Sequence, residues 1–147
     1  MPGLRYAEGV VKESLRLYPP AWAVGRECVR ECEVGGYLVP RGMQVVAYPW
    51  VVQRDPRWFT DPLAFRPERW REESAAKVPK YAYFPFGGGP RLCIGNYFAT
   101  MEAVLILSTI AQRFRLRLAP GQTVEPFPAI SLRPKRGVLV RLEERRT

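Results

Sequence analysis

The sequence predicts an α+β fold, in which two helices are joined by small β-hairpins and a long irregular segment. Three observations carry this prediction: an apolar periodicity of three and four residues near the start, extended segments punctuated by glycine, and a second apolar segment after residue 95. Of the 147 residues, 47% are hydrophobic and 25% are charged, a composition typical of a folded globular chain and not of a disordered one.

A first, amphipathic helix is predicted over residues 4–17, because apolar residues recur there at helical spacing: Leu4, Ala7, Val11 and Leu15. Pro19 and Pro20 end this helix, since proline disfavours the helical conformation of the residue before it.

A second helix is predicted from about Gly95 to Phe114. It is apolar on most of its sides, so we expect it to be buried. Glu102 and Arg113 interrupt the apolar run too early for a membrane span, and no membrane segment is expected in this chain.

The remaining segments are predicted to be extended or irregular. Residues 23–52 are rich in β-branched and aromatic residues between glycines, which predicts hairpin-like structure. Residues 55–90 are proline-rich and irregular, and so long an irregular stretch is uncommon unless it is functional. After the second helix, residues 127–142 are expected to form a closing hairpin around residues 135–137.

The absence of histidine removes several kinds of site from this chain. No Ser-His-Asp or Cys-His catalytic arrangement, no imidazole-ligated haem and no histidine zinc site can be formed. The three cysteines are too few for a four-cysteine zinc site. Their odd number, without a secretory leader, does not suggest a disulfide framework, so the cytoplasm is the expected location. Any metal chemistry must involve a thiolate, a carboxylate or an added cofactor.

A formal charge of +9 leaves two kinds of partner to consider. A nucleic-acid surface would also be basic, but the sequence has no zinc finger, RNA-binding aromatic motif or long basic arm, so no nucleic-acid partner is predicted. An acidic protein partner fits better, because complementary charge speeds encounter.

Cys93 lies near the end of a glycine-rich segment, Phe86-Gly-Gly-Gly-Pro-Arg-Leu-Cys-Ile-Gly95, just before the second helix. Backbone N–H groups at a helix start favour a negatively charged sulfur, and Arg91 adds a cation. The glycines leave room for something flat and bulky against the loop. Taken alone, these residues also fit an inert cysteine in a turn before a core helix.

Three further groups have ordinary interpretations when they are taken separately. Glu13 and Arg16 share one face of the first helix at i, i+3, as many surface ion pairs do. Arg69 lies in a charged loop segment beside an aromatic residue. Cys28 and Cys32 form a C-x₃-C pair, which is either a redox or metal site or simply two strand residues.

Taken in sequence order, these segments resemble the cytochrome P450 family. Glu13 and Arg16 fit the family pattern E-x-x-R, and Arg69 supplies the arginine that joins the pair. The loop fits the pattern F-x-x-G-x-R-x-C-x-G at every fixed position, which here are Phe86, Gly89, Arg91, Cys93 and Gly95. The resemblance extends over residues 1–147 and implies the C-terminal part of the mainly α cytochrome P450 fold, with its E-x-x-R helix, small hairpins, irregular meander, cysteine loop, long helix and closing hairpin.

The resemblance implies haem b (iron protoporphyrin IX) as the cofactor, with the Cys93 thiolate as the axial ligand of the iron. It also implies hydrogen bonds to the sulfur from amides near Ile94 and Gly95. The other residues implied to bind the cofactor are Phe86 and Gly89 beside the sulfur and Arg91 and Arg26 at the haem propionates.

Two further sets of residues take their roles from the resemblance. Glu13, Arg16 and Arg69 are implied to form a buried structural network that holds the cysteine loop. The residues implied to face the substrate lie in two turns and are Ala21, Trp22, Ala23 and Ile130.

The implied function is that of a monooxygenase, which activates dioxygen on thiolate-ligated iron and hydroxylates a small apolar organic substrate. Electrons would come from a ferredoxin, a flavodoxin or a reductase that docks on the basic face. The family's distal, oxygen-activating half is not found in these residues, so this portion alone is not expected to be active. The alternative is a truncated, non-catalytic product that binds little or no haem.

Overall fold

The structure is a computed structural model that describes residues 3–145. Helix α1 (Arg5–Leu17) confirms the first predicted helix to within one residue at its start. It ends where the backbone of Tyr18 leaves the helical conformation, next to Pro19. Gly9 allows a close approach to the irregular segment, because a Cβ there would lie 2.8 Å from the carbonyl oxygen of Pro67.

Residues 24–47 form two nested antiparallel ladders. The strands are β1 (Val24–Glu27), β2 (Cys32–Val34), β3 (Tyr37–Val39) and β4 (Gln44–Ala47). The inner pair, β2 with β3, is closed by Gly35 and Gly36, both at positive φ, and the outer pair is β1 with β4. The extended structure predicted for residues 23–52 is confirmed as far as Ala47.

The last part of that prediction is wrong, because Pro49–Val52 forms a single helical turn, α2. Proline suits the first position of a helix, where its missing N–H is not needed. Trp22 and Trp50 still touch through their backbones, since the Trp50 N–H donates to the Trp22 carbonyl at 3.4 Å.

Residues 53–95 are largely irregular, as predicted for residues 55–90. Two 3₁₀ turns, Pro67–Trp70 and Gly89–Arg91, and one helical turn, α3 (Glu72–Ala75), are the regular elements within them. The segment packs on α1 through the Pro67–Trp70 turn. Its backbone carbonyls are bound by buried side chains, so it is a fixed part of the fold.

Helix α4 (Asn96–Arg113) confirms the second predicted helix but not its expected burial. One side of α4 packs against α1, and Val104 is the residue of α4 that is fully buried. Phe98 and Met101 are 63% and 45% exposed. The apolar composition predicted a covering layer on most sides, whereas residues 3–145 supply such a layer on one side alone.

The strands after α4 pair differently from the prediction. Strand β5 (Phe114–Leu118) pairs with β8 (Val140–Glu144), and β6 (Pro126–Pro128) pairs with β7 (Leu132–Pro134). The expected hairpin around residues 135–137 is therefore wrong, and the hairpin turn lies at residues 129–131. Alternation of apolar and polar residues along a strand predicts its two faces but not the strand with which it pairs. β8 pairs with a strand that lies more than twenty residues earlier in the chain.

Few apolar side chains are buried in the part of the chain that the structure describes. They include Val11, Leu17, Val39, Phe59, Ala82 and Val104, together with Pro19 and Pro49. The polar residues Glu13, Arg16 and Gln53 are buried beside them, each with no exposed surface. No helix among the described residues has the length and apolarity needed to cross a membrane.

Candidate functional site

Glu13 is the centre of a buried charge cluster beneath α1. Its carboxylate accepts two hydrogen bonds from Arg16, at 2.9 Å from both Nε and Nη2, and one from Arg69 Nε at 2.9 Å. The indole Nε1 of Trp70 and the backbone N–H of Arg66 also donate to this carboxylate at 2.9 Å. The structure thus brings together the three residues Glu13, Arg16 and Arg69, which we call the Glu13 cluster.

Arg16 extends the Glu13 cluster into the irregular segment. Its Nη1 donates to the carbonyl oxygens of Gln53 and Pro62, both at 2.7 Å, and its Nη2 donates to that of Ala64 at 3.2 Å. A guanidinium has five N–H donors, and all five of Arg16 are used. Since two arginines face one glutamate, these carbonyl dipoles offset the excess positive charge, and Arg69 is bound in the same way by further carbonyls.

The protonation of Glu13 follows from these contacts. Burial alone would raise the pKa of its carboxyl, but the hydrogen bonds from Arg16, the Arg66 amide and Arg69 outweigh burial and hold the pKa below its usual value of 4.5. Glu13 is therefore ionised at neutral pH.

Gln53 connects the Glu13 cluster to the segment that leads into the cysteine loop. Its side-chain Nε2 donates to the carbonyls of Leu15 and Arg16 at 3.0 Å, and its Oε1 accepts from the Phe84 N–H at 2.9 Å. All of its side-chain polar atoms are thus bonded within the core. Gln53 was not predicted as a site residue, because a lone glutamine in a loop carries no motif.

Arg54, next to Gln53, is a second residue that sequence reasoning missed. Its guanidinium lies 3.3 Å from the ring centre of Trp50 and donates to the carbonyl oxygens of Trp50 and Leu17. Burial lowers the pKa of this side chain to about 10. Arg54 therefore ties the end of α1 to α2, beside the Glu13 cluster.

Cys93 is held in a loop (residues 86–95, the cysteine loop) that is closed by a backbone hydrogen bond. The Cys93 N–H donates to the Phe86 carbonyl at 3.0 Å, which brings these two predicted site residues together. Gly87 and Gly89 have φ of +78° and +68°, a backbone region that favours glycine. A Cβ on Gly95 would lie 3.9 Å from the Cys93 sulfur, so Gly95 is beside it at the start of α4.

The surroundings of the Cys93 sulfur are open. Cys93 is an exposed free thiol, and a Cβ added to Gly89 would meet nothing within 4 Å. The Asn96 N–H donates to the Cys93 carbonyl at 3.4 Å, which joins the cysteine loop to the first residue of α4.

An exposed row of apolar side chains starts beside Cys93 and continues along α4. Its residues recur at helical spacing and are 101%, 63%, 45% and 46% exposed: Ile94, Phe98, Met101 and Leu105, here called the apolar stripe. A single thiol, side-chain-free glycines and an adjoining apolar surface are the features that a large, flat, apolar cofactor with a thiol-binding metal requires. The residues present therefore fit a haem bound through Cys93.

The other predicted site residues fall into two groups, which are the turns expected to face substrate and the arginines expected at the haem propionates. The two turns expected to face substrate are joined, because Trp22 Nε1 donates to the Ala129 carbonyl at 2.9 Å, and Ile130 next to it is fully exposed. Ala21 precedes Trp22 and is exposed, while Ala23 is half-buried.

The two arginines expected at the haem propionates lie on different elements. Arg91 is exposed on the 3₁₀ turn Gly89–Arg91, two residues before Cys93. Arg26 lies on β1 and donates to the neighbouring Gly25 carbonyl at 2.8 Å.

A multidentate metal site is not found in the described part of the chain. No group of three or more histidine, cysteine or acidic side chains there could hold a metal ion. Cys28 and Cys32 are free thiols whose sulfurs lie 3.6 Å apart.

The buried arginine–glutamate cluster and the glycine-rich cysteine loop together define a cysteine site on an α+β framework. The profile of the Cytochrome P450 family matches residues 1–141, and the chain belongs to that family.

Similar proteins agree with this assignment. The chain is 44% identical over 132 residues to cyclooctatin synthase of Streptomyces melanosporofaciens, an alignment that covers 90% of this chain and 29% of that protein. It is 42% identical over 145 residues to cytochrome P450 4V2 of Homo sapiens, covering 97% of this chain and 27% of that protein. A crystal structure of the cytochrome P450DA haem domain superimposes with a TM-score of 0.87 and 30% identity, covering 95% of this chain and 31% of that one. The chain thus spans a little under one third of the relatives it matches.

Proposed function

We propose that this chain is the haem-ligating portion of a monooxygenase, with the Cys93 thiolate as the axial ligand of haem b. The observation that carries the proposal is the cysteine loop, which presents one exposed thiol between glycines, next to an uncovered apolar stripe. Family membership supports it. The three free thiols also suit the reducing cytoplasm, where we place the protein.

In this proposal the cysteine loop binds and orients the cofactor. The Phe86 carbonyl fixes the Cys93 backbone, and Gly89 and Gly95 leave the space next to the sulfur free of side chains. Arg91 is suited to a haem propionate, because a guanidinium binds a carboxylate through paired hydrogen bonds. Arg26 is proposed for the second propionate because of the resemblance.

The Glu13 cluster is proposed to hold the backbone of the cysteine loop in place. The path passes from Arg16 to Gln53, from the Gln53 side chain to the Phe84 N–H, and from there along two residues to Phe86. Each step is a hydrogen bond of 3.0 Å or less or a covalent link, so a shift in the cluster is transmitted to the loop that carries Cys93.

When bound, a haem with a thiolate ligand supplies an iron centre that favours cleavage of the O–O bond of dioxygen. The turns containing Trp22 and Ile130 are proposed to contact a small apolar organic substrate, because they present apolar surface and are fixed to each other. The name of one relative, cyclooctat-9-en-7-ol 5-monooxygenase of Streptomyces melanosporofaciens, is consistent with a substrate of this class. The formal charge of +9 favours an acidic electron donor of the ferredoxin, flavodoxin or reductase type.

A haem titration of the purified chain tests the ligand assignment. The wild type and the Cys93→Ala and Cys32→Ala variants are mixed with haem, reduced and exposed to carbon monoxide. We expect the long-wavelength Soret band of a thiolate-ligated carbonyl complex in the wild type and in Cys32→Ala, which keeps Cys93 but loses another exposed thiol. The band should be absent in Cys93→Ala, and its persistence there would overturn the assignment.

The alternative is a folded but non-catalytic chain that binds little or no haem. The exposed apolar stripe favours it, because an uncovered apolar surface also promotes self-association. In that case the wild type and both variants would give the same spectrum, without a thiolate band, while retaining their helical circular dichroism.

A further inference from the structure

The proposed haem site leaves Cys28 and Cys32 without a role. Their sulfurs lie 3.6 Å apart, and either can donate a hydrogen bond to the other. A disulfide needs a separation of about 2.05 Å, so the two sulfurs must approach by about 1.5 Å, which side-chain rotation can supply. In the described part of the chain, no third cysteine, histidine or acidic residue joins them in a metal-binding group.

The pair sits where the two ladders of the hairpin meet. Cys28 follows β1 directly and continues the outer ladder, since its N–H donates to the Met43 carbonyl at 2.9 Å and its carbonyl accepts from the Gly42 N–H at 2.7 Å. Cys32 begins the inner ladder, opposite Val39. Backbone pairing on both sides therefore holds the two cysteines at a fixed separation.

The two thiols differ in accessibility. Cys32 is exposed, whereas Cys28 is half-buried and donates to the Arg30 carbonyl at 2.8 Å. Burial, reinforced by the hydrogen bond with Cys32, raises the pKa of the Cys28 thiol. Cys32 is thus the residue that meets an external reagent first, and Cys28 is the neighbour that can respond.

We propose that Cys28 and Cys32 form a reversible disulfide by exchange with a small-molecule disulfide, linking the inner and outer ladders of the hairpin. The Cys32 thiolate attacks one sulfur of glutathione disulfide, which forms a mixed disulfide and releases one glutathione thiolate. The Cys28 thiolate then attacks the Cys32 sulfur and releases the second glutathione. The protein loses two hydrogen atoms, and glutathione disulfide is reduced to two thiols.

Mass spectrometry of the reduced chain after treatment with glutathione disulfide tests this proposal. We expect the internal disulfide to exceed mixed disulfides at these two cysteines by about tenfold, because the second thiol is already adjacent. Trypsin cleaves after Arg26, Arg30 and Arg41, so the peptides 27–30 and 31–41 should stay joined until a reductant is added.

Cysteine variants and unfolding by urea provide the controls. Cys28→Ser should stop the reaction at a stable glutathione adduct on Cys32, while Cys93→Ser should leave the internal disulfide unchanged. In urea the tenfold excess should fall, because the ladders no longer hold the thiols together. Stable adducts on both cysteines of the folded wild type, a disulfide that includes Cys93, or an equal yield in urea would overturn the proposal.

Discussion

The Glu13 cluster and the apolar stripe reverse the usual distribution of side chains in a protein. Glu13 and Arg16 are charged and have no exposed surface, whereas Ile94 and Phe98 are apolar and are 101% and 63% exposed. Charged residues are ordinarily exposed and large apolar ones buried. The cluster is possible because the donors of Arg16 and the carboxylate of Glu13 all find partners within the chain.

The difference between the two regions indicates what each one does. The Glu13 cluster has its hydrogen bonds made inside residues 3–145 and so contributes to the stability of this chain itself. The apolar stripe has no covering layer in those residues, and in the proposed function it lies against the haem. Substitutions in the Glu13 cluster should therefore lower the free energy of unfolding, whereas substitutions in the apolar stripe should lower the affinity for haem.

The largest effect is expected from Glu13→Gln. This change removes the charge that compensates Arg16 and Arg69 and places an amide among five donors, so it should lower the free energy of unfolding by about 3–5 kcal/mol. Urea denaturation followed by circular dichroism measures it. Glu8→Gln is the matched control on α1, because Glu8 pairs with Lys12 at 2.7 Å near the surface, and it should cost less than about 1 kcal/mol.

Gln53→Ala should have the next largest effect and lower the free energy of unfolding by about 3 kcal/mol. It leaves three buried backbone groups without their partners: the carbonyls of Leu15 and Arg16 and the N–H of Phe84. Gln122→Ala removes a similar bridge, between Gly137 and Leu139, at the surface. That control should cost less than about 1 kcal/mol, since water replaces the lost bonds. Equal losses in the two variants would contradict the bridging role given to Gln53.

Neighbouring residues on α4 provide a smaller contrast. Val104→Ala should cost about 2 kcal/mol, since Val104 is fully buried and its methyl groups leave a cavity. Leu105→Ala removes more carbon but from a side chain that is 46% exposed, and it should cost less than about 1 kcal/mol. A larger loss of unfolding free energy in Leu105→Ala than in Val104→Ala would contradict the exposure of Leu105 on α4.

Acid should weaken the Glu13 cluster gradually. Because the pKa of Glu13 is held below 4.5 in the folded chain, its stabilising contribution is complete above about pH 4.5 and is lost as the pH falls through the folded-state pKa. One proton gives a slope of at most about 1.4 kcal/mol per pH unit. Urea titrations at several acidic pH values should show a flatter dependence in Glu13→Gln than in the wild type.

Local patterns predicted the elements that depend on local sequence. The periodicity of residues 4–17 and the proline pair after them were enough for α1, and the glycine-punctuated, β-branched composition of residues 23–52 was enough to predict extended structure as far as Ala47. The pairing of β5 with β8 could not be predicted in this way, because the choice of a strand partner is made over long distances. The exposure of α4 was not predicted, because an apolar composition indicates that a helix packs against other residues. It does not indicate whether those residues belong to this chain.

The candidate site was accessible to sequence reasoning only through its motifs. Glu13, Arg16 and Arg69 were placed together by resemblance, since fifty-odd residues separate Arg69 from the other two. Gln53 was missed because its role rests on three backbone partners that no motif records. For Cys28 and Cys32 the sequence left open whether the two sulfurs lie together, because C-x₃-C spacing does not fix how the intervening turn folds.

The central claim is that Cys93 holds a haem against the apolar stripe, and binding linkage tests it most directly. A ligand that binds only the folded state raises the free energy of unfolding, and the increase grows with the logarithm of the ratio of ligand concentration to dissociation constant. Under reducing conditions, haem should therefore raise the urea midpoint of the wild type and of Cys32→Ala and should leave that of Cys93→Ala unchanged. An equal rise in Cys93→Ala would show that haem adheres to apolar surface without the thiolate, and would contradict the account.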